Sequence, residues 1–166
     1  PIDSFDILRA ANVCIDMKRP KSILMVSVGR LEPQKAYMRL LRIMKRLIEE
    51  GFDVNLWILG DGMERTMLEQ YINENQLQER LRLLGFHTNP YKYLCQGDLF
   101  VCSSLAEGYS TAVTEALILG LPVITTDCSG MAELLKDGEC GMITENGEEA
   151  LFEGVKHLLN DGTLLD

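Results

Sequence analysis

Five short runs rich in leucine, methionine and β-branched residues recur along the chain, at Ile23 to Val28, Val54 to Leu59, Leu81 to Leu84, Leu99 to Val101 and Val123 to Thr126. Runs of this length and character read as strands buried on both faces. The gaps between them carry helical spacing instead. Leu40, Leu41, Met44, Leu47 and Ile48 form one apolar stripe, Met63, Met67, Leu68 and Ile72 a second, and Leu151, Val155, Leu158 and Leu159 a last one. Strands that alternate with helices must be joined by crossovers, so the expected fold class is α/β, a doubly wound and mainly parallel sheet.

A chain of 166 residues, 46% of them hydrophobic and 25% charged, can bury one core but not two. No internal repeat, low-complexity tract or Pro/Gly-rich linker divides it. Its net charge of -9 argues against nucleic acid or an anionic membrane as the main partner, so an anionic ligand would need local cations. Four of the five cysteines (Cys14, Cys95, Cys102, Cys128 and Cys140) lie in apolar or strand-like contexts without metal-ligand spacing, and read as buried thiols of a reducing cytoplasm. No apolar run approaches the roughly 18 residues that span a bilayer, and nothing resembles a signal peptide, so the segment is expected to be soluble.

In doubly wound sheets ligands bind outside the carboxyl ends of the strands, where loops and helix N-termini converge. The five exits here are "GRLEPQK", "GDG", "GFHTN", "CSSLAEGYST" and "TDCSG". Turn chemistry accounts for their glycines and hydroxyl residues. It leaves Arg30, Lys35, Glu107 and Glu115 unexplained. A helix starting near Ser110 or Thr111 would aim unpaired N–H groups at the strand ends, and Gly108 would let a phosphate approach the backbone. Glu115 is out of register for a capping box with either residue, but an ordinary exposed helix glutamate remains a competing reading. Arg30 and Lys35, five residues apart, could each be solvated surface charge. Together with the helix N-terminus they could hold a diphosphate. Carboxylates beside a diphosphate fit best if they accept O–H bonds from sugars on the same ligand, Glu115 from a ribose and Glu107 from a second sugar. That ligand is a nucleoside-diphosphate sugar.

The stretch "EGYSTAVTEALILGLPVITTDCSGMAELLKDGECGMI" resembles the E-x7-E segment and following strand of glycosyltransferase family 4, whose members pair two Rossmann-like lobes in the GT-B arrangement. "SVGRLEPQK", "WILGDGMERTMLE" and "LLGFHTNPYKYLCQGDLFVCSS" extend the resemblance over nearly the whole chain in the family's order. Ala36 stands where glycine is common after the lysine, and "EGYST" replaces the frequent E-G-F-G.

The resemblance implies catalytic roles for Glu107, at the donor sugar's hydroxyls, and for Arg30 and Lys35, on the diphosphate. It implies donor contacts from Gly29, Gly60 and Gly62, from Phe86 and His87 by the base, from Gly108, Tyr109, Ser110 and Thr111 by sugar and phosphate, and from Glu115 at the ribose. It implies retention of anomeric configuration, no cofactor and no metal. It also implies that residues 1–20 are an interdomain hinge and lead-in, that residues 21–166 are the nucleotide-sugar-binding lobe, and that the N-terminal acceptor lobe and a terminal crossover helix are absent. The expected partners are a nucleotide-sugar donor, most often UDP-linked, the N-terminal lobe, and a glycan or lipid-linked acceptor. The expected place is the cytoplasm, with any contact to the inner membrane face made through the other lobe and with bacterial surface polysaccharide as the product. A sugar-nucleotide epimerase lobe and a non-catalytic nucleotide-binding module are the alternatives, the former disfavoured by the E-x7-E pattern. An NAD-binding oxidoreductase is weaker, because no G-x-G-x-x-G follows the first strand.

The remaining residues read as structural. "GDG" serves as turn chemistry at least as readily as a phosphate contact, and a loop histidine such as His87 can be solvated. His157 faces water or flanks the core, methionines at helical spacing fill the core, and Trp57 packs beneath a helix.

Overall fold

The computed structural model describes residues 3–13, 15, 17–108 and 110–162, so Cys14 and Tyr109 lie outside the described residues. Helix α1 (Ser4–Ala11) is capped by Asp3, whose carboxylate accepts the Phe5 N–H at 2.9 Å. Then follow β1 (Ile23–Val28), a 3-10 turn (Pro33–Lys35), α2 (Tyr37–Glu49), β2 (Val54–Leu59), α3 (Arg65–Glu74), β3 (Leu81–Gly85) and α4 (Tyr91–Leu94). The second half comprises β4 (Leu99–Cys102), α5 (Thr111–Ile118), β5 (Val123–Thr126), α6 (Met131–Leu134), β6 (Met142–Thr144) and α7 (Glu148–Asp161). The six strands form one parallel sheet in the order β3-β2-β1-β4-β5-β6.

Successive side chains of a strand point to opposite faces, and the core divides accordingly. Met25, Leu56, Ile58, Leu99, Val101 and Ile124 meet the apolar stripes of α2, α3 and α7, with Leu40, Leu41, Met44, Leu68, Leu151 and Phe152 buried against them. Leu24, Val26, Trp57, Leu59, Phe100 and Val123 face the other way and pack with Leu94, Val113, Ala116 and Met131 from α4, α5 and α6. Trp57 does lie beneath a helix, edge-on to Tyr93 of α4 at 6.4 Å between ring centroids.

Three expectations are corrected. The sheet has a sixth strand, β6, too short and too lightly buried to stand out as an apolar run. Met63 and Met67 are 80% and 43% exposed rather than core filler. Met63 precedes the first turn of α3, and Met67 lies about 100° around the helix from Leu68, which carries the buried stripe with Ile72. Among the cysteines, Cys102 and Cys128 are buried, but Cys95 and Cys140 are exposed. Cys95 closes α4 at the surface and Cys140 sits in the turn before β6.

The exits of β1 and β2 are locked together through backbone. Gly29 N–H donates to Leu59 O at 3.0 Å, Leu31 N–H to Asp61 O at 3.0 Å and Glu64 N–H to Leu31 O at 2.8 Å. A Cβ on Gly60 would lie 1.9 Å from Gly29 O, and one on Gly62 2.6 Å from Leu31 O, so this packing by itself requires both glycines of "GDG". At the start of α2, Ala36 holds the left-handed conformation at φ 52°, which accounts for the usual glycine there. Gly60→Ala, at φ 137° and in contact with backbone, should destabilise the fold by about 3 kcal/mol or more. Ala36→Gly should stabilise it by about 0.5 to 1 kcal/mol, as relief of the left-handed strain outweighs the added chain entropy. Urea denaturation of the two variants checks both signs.

Candidate functional site

Strand order reverses between β1 and β4, because β1 leads on to β2 on one side and β4 to β5 on the other. The loops leaving these neighbours therefore part, and a crevice opens at the carboxyl edge of the sheet. Two concavities share Val28 as a wall. An inner cleft is lined by Ser27, Lys35, Tyr37, Ser103, Ser104, Glu107, Ser110 and Ala112. An outer, mostly apolar groove of about 440 Å³ is lined by Gly29, Arg30, Gly60, Asp61, Phe86, His87 and Pro90.

Glu107 occupies the inner cleft as an acceptor. Its Oε1 takes the Lys35 ammonium at 2.5 Å and the Ser104 hydroxyl at 2.6 Å, and only 9% of its side chain is exposed. Lys35 is brought there by docking of the 3-10 turn on the β4 exit loop. Leu105 N–H donates to Gln34 O at 2.8 Å, the Gln34 side chain to Ala106 O at 2.9 Å, and the Ser103 hydroxyl to Lys35 O at 2.9 Å. Below them the Tyr37 hydroxyl shares a 3.1 Å hydrogen bond with Ser27, and burial pushes its pKa well up, so it stays protonated. A Cβ on Gly29 would lie 2.8 Å from that hydroxyl.

The loop itself is held from inside by Arg39 of α2. The Arg39 Nε donates to Ser103 O at 2.8 Å, and Nη2 donates to Ser104 O at 2.9 Å and to Asn146 Oδ1 at 2.8 Å. Asn146 in turn donates to Leu105 O at 2.7 Å, and the Thr126 hydroxyl to Ser104 O at 2.6 Å. Burial lowers the Arg39 pKa, yet a guanidinium starts so high that it remains charged.

The start of α5 fits its sequence. Ser110 is the N-cap, 5% exposed, with its hydroxyl accepting the Val113 N–H at 3.2 Å, and Thr111 is the first helical residue. Ala112 lines the inner cleft, and the Thr111 and Ala112 N–H groups at the start of the helix have no intrahelical acceptor. Gly108 is exposed beside them, in a place where a Cβ would meet nothing within 4 Å. One turn further, Glu115 is half-buried and accepts the Tyr91 hydroxyl at 3.0 Å. Burial pushes the Glu115 carboxyl pKa up, with the Tyr91 hydrogen bond acting the other way. It is not an ordinary exposed helix glutamate.

Arg30 is not brought together with Lys35 at Glu107. Its side chain is 79% exposed and pairs with Glu32 at 3.1 Å, although the residue lines the outer groove. Phe86, 75% exposed, stands at the rim of that groove. His87 is tied down rather than solvated, its Nε2 2.9 Å from Leu84 O and its ring 4.6 Å from that of Tyr93.

Arg39, Asn146, Ser104 and Tyr91 are absent from the sequence reading. Arg39 and Asn146 lie 107 residues apart and Tyr91 and Glu115 24 apart, and no local pattern joins them. Arg39→Met would leave the Ser103 carbonyl and the Asn146 amide oxygen short of a donor, at about 1 to 3 kcal/mol for each group left unsatisfied, while the Ser104 carbonyl keeps the Thr126 hydroxyl. It should destabilise the chain by about 3 kcal/mol in urea denaturation. A change below about 0.5 kcal/mol would mean that the loop holds itself.

Residues 22–161 match the family profile described as glycosyl transferases group 1. The chain is 38% identical over 146 residues to the N-acetylgalactosamine-N,N'-diacetylbacillosaminyl-diphospho-undecaprenol 4-alpha-N-acetylgalactosaminyltransferase of Campylobacter jejuni, covering 87% of this chain and 39% of that protein. It is 34% identical over 152 residues to a human phosphatidylinositol N-acetylglucosaminyltransferase polypeptide, covering 89% and 31%. The chain thus spans well under half the length of these curated relatives. Its fold is similar to that of Anabaena HepE, solved in complex with UDP, with a TM-score of 0.76, 23% identity, and coverage of 86% of this chain and 40% of that one. The parallel sheet is the Rossmann-like kind found in GT-B glycosyltransferases, and by sequence the chain belongs to the glycosyl transferases of group 1.

Proposed function

We propose that this chain is the donor-binding lobe of a retaining glycosyltransferase, which moves a sugar from a nucleoside-diphosphate sugar to a glycan or lipid-linked acceptor. The observation that carries the reading is the meeting of Lys35, Glu107 and the α5 N-terminus in one cleft, with Glu115 a turn further along α5 and an apolar groove adjoining the cleft at Val28. In this reading the base lies in the outer groove, beside Phe86 and His87, and the ribose diol meets Glu115. The diphosphate meets the first turn of α5 and Lys35, and the transferred sugar meets Glu107. The complex of HepE with UDP supports a uridine donor. The undecaprenol-linked substrate in the name of the Campylobacter relative supports a lipid-linked acceptor, and bacterial surface polysaccharide is the proposed product.

In the transfer, the bond from the sugar's anomeric carbon to the β-phosphate oxygen breaks and a bond to the acceptor oxygen forms on the same face, while the acceptor hydroxyl gives its proton to an oxygen of the departing diphosphate. The bonding pair leaves on the diphosphate, where Lys35 and the helix dipole stabilise the growing charge. Glu107 and Lys35 are partners until a donor arrives, so the diphosphate must draw the ammonium away from the carboxylate. The carboxylate is then free for sugar hydroxyls. Arg30, long and exposed, swings from Glu32 to the diphosphate. The cations and the helix perform the neutralisation that a divalent metal performs elsewhere, so turnover by the full-length enzyme persists in excess EDTA.

The acceptor site belongs to a second lobe, in keeping with the share of its relatives that this chain covers. Among the described residues no helix is long and apolar enough to cross a membrane. The proposed place of action is the cytoplasm, with membrane contact made by that second lobe.

Titration calorimetry of the 166-residue chain with UDP, GDP and ADP tests the assignment. Glu115→Ala should weaken nucleoside diphosphate binding by about 1.5 to 3 kcal/mol, the scale of hydrogen bonds to a charged group. Glu107→Gln should strengthen it by about 1 kcal/mol, because Lys35 no longer has to leave a partly exposed ion pair. The same substitution should lower turnover of a nucleotide sugar by the full-length enzyme about 100-fold, as lost transition-state stabilisation. Binding left unchanged by both substitutions would remove the donor assignment from this cleft.

A further inference from the structure

We propose that Tyr91 is a positioning residue for ribose recognition: its hydroxyl donates to Glu115 Oε1 and fixes the carboxylate so that its remaining acceptor positions meet the 2′,3′-diol of the nucleotide. The inference rests on the reading of Glu115 as the ribose-binding acid.

The hydrogen bond, 3.0 Å long, joins the start of α4 to α5. Pro90, the residue before Tyr91, lines the outer groove, and Ala112, one turn before Glu115, lines the inner cleft. The bonded pair thus ties an element that borders the groove proposed for the base to the helix that borders the cleft proposed for the diphosphate. A carboxylate has about four acceptor positions, and a single phenolic donor leaves room for both hydroxyls of a diol.

Tyr91 is well placed to act as a fixed point. Pro90 O accepts N–H groups from Tyr93 and Leu94, both at 3.0 Å, and the Leu94 side chain is fully buried. The Asn89 side chain donates to Ala10 O of α1 at 2.9 Å, and the Tyr93 ring packs on His87 and Trp57. Glu115 has three rotatable side-chain bonds of its own and sits on a helix whose Val113 and Ala116 are locked in the core. Holding the carboxylate before the ligand arrives removes an ordering cost from binding. Burial disfavours the ionised form of Glu115, and the Tyr91 hydrogen bond offsets part of that.

The experiment compares UDP with 2′,3′-dideoxy-UDP, and GDP and ADP with their dideoxy forms, by calorimetry on the wild-type chain, Tyr91→Phe and Glu115→Gln. The wild type should prefer the ribonucleotide by about tenfold or more, the scale of hydrogen bonds to a charged acceptor. Tyr91→Phe should cut that preference about threefold to tenfold through weaker ribonucleotide binding, and should leave the dideoxy affinity within about twofold of wild type. The dideoxy ligand reports the folded site, since it needs everything except the diol contact. Equal losses on both ligands would reduce Tyr91 to a packing role and overturn the inference, as would a wild-type preference retained in Tyr91→Phe while Glu115→Gln loses it. A wild-type chain without any ribose preference would overturn the Glu115 reading itself, and the inference with it.

Discussion

One buried guanidinium organises the functional end of this sheet. The chain leaves β4 with the carbonyls of Ser103 and Ser104 turned inward, where an unpaired carbonyl would cost about 1 to 3 kcal/mol. Arg39 supplies donors to both and to the side chain of Asn146, which itself ties down Leu105. A charge in that position is costly to bury unless its donors are used, and here several are. Glu107 is placed at the cleft because the four residues before it are pinned by these bonds and by the 3-10 turn that carries Lys35.

The cleft is an island of different electrostatics in a chain of net charge -9. Long-range attraction cannot gather an anionic donor here, so recognition has to be local. The α5 N-terminus supplies fixed partial charge and Lys35 a movable one. The Lys35 and Glu107 pair leaves neither charge unpartnered in a half-buried site, and each member is also the proposed partner of a different part of the donor. The arrangement couples arrival of the diphosphate to release of the carboxylate that the sugar needs.

Much of this was legible in the sequence. Val54–Leu59 is buried at every position, and a strand buried on both faces reads as a near-continuous apolar run, interrupted here by Asn55, whose amide donates to the Ser22 hydroxyl. A helix start at Ser110 or Thr111, and Glu115 as out of register for a capping box with either, followed from register alone, and the fold makes Ser110 the cap. What stayed hidden depends on distance in the chain. Arg39 sits inside an amphipathic helix, where a basic residue reads as part of the solvated face, and only the fold reveals the carbonyls above it. Glu115 shows its carboxylate in the sequence but not its tyrosine, which comes from the end of a loop on another element. The pairing of Lys35 with Glu107 was likewise out of reach, since each residue was legible separately as a ligand contact. β6 hid for a different reason: three half-buried residues at a sheet edge carry too little hydrophobic signal to outweigh the glycines around them.

Backbone amide NMR of the chain during titration with UDP tests the central claim most directly, because it reports where a nucleoside diphosphate sits without presuming any residue's role. The account predicts that the largest shifts fall on the first turn of α5 around Ala112 and Val113, on Gly29 to Leu31, and on Phe86 and His87, saturating together with one affinity. Shifts confined to the opposite edge of the sheet, in the cleft formed by Lys18, Trp57, Arg80 and Arg82, would contradict it.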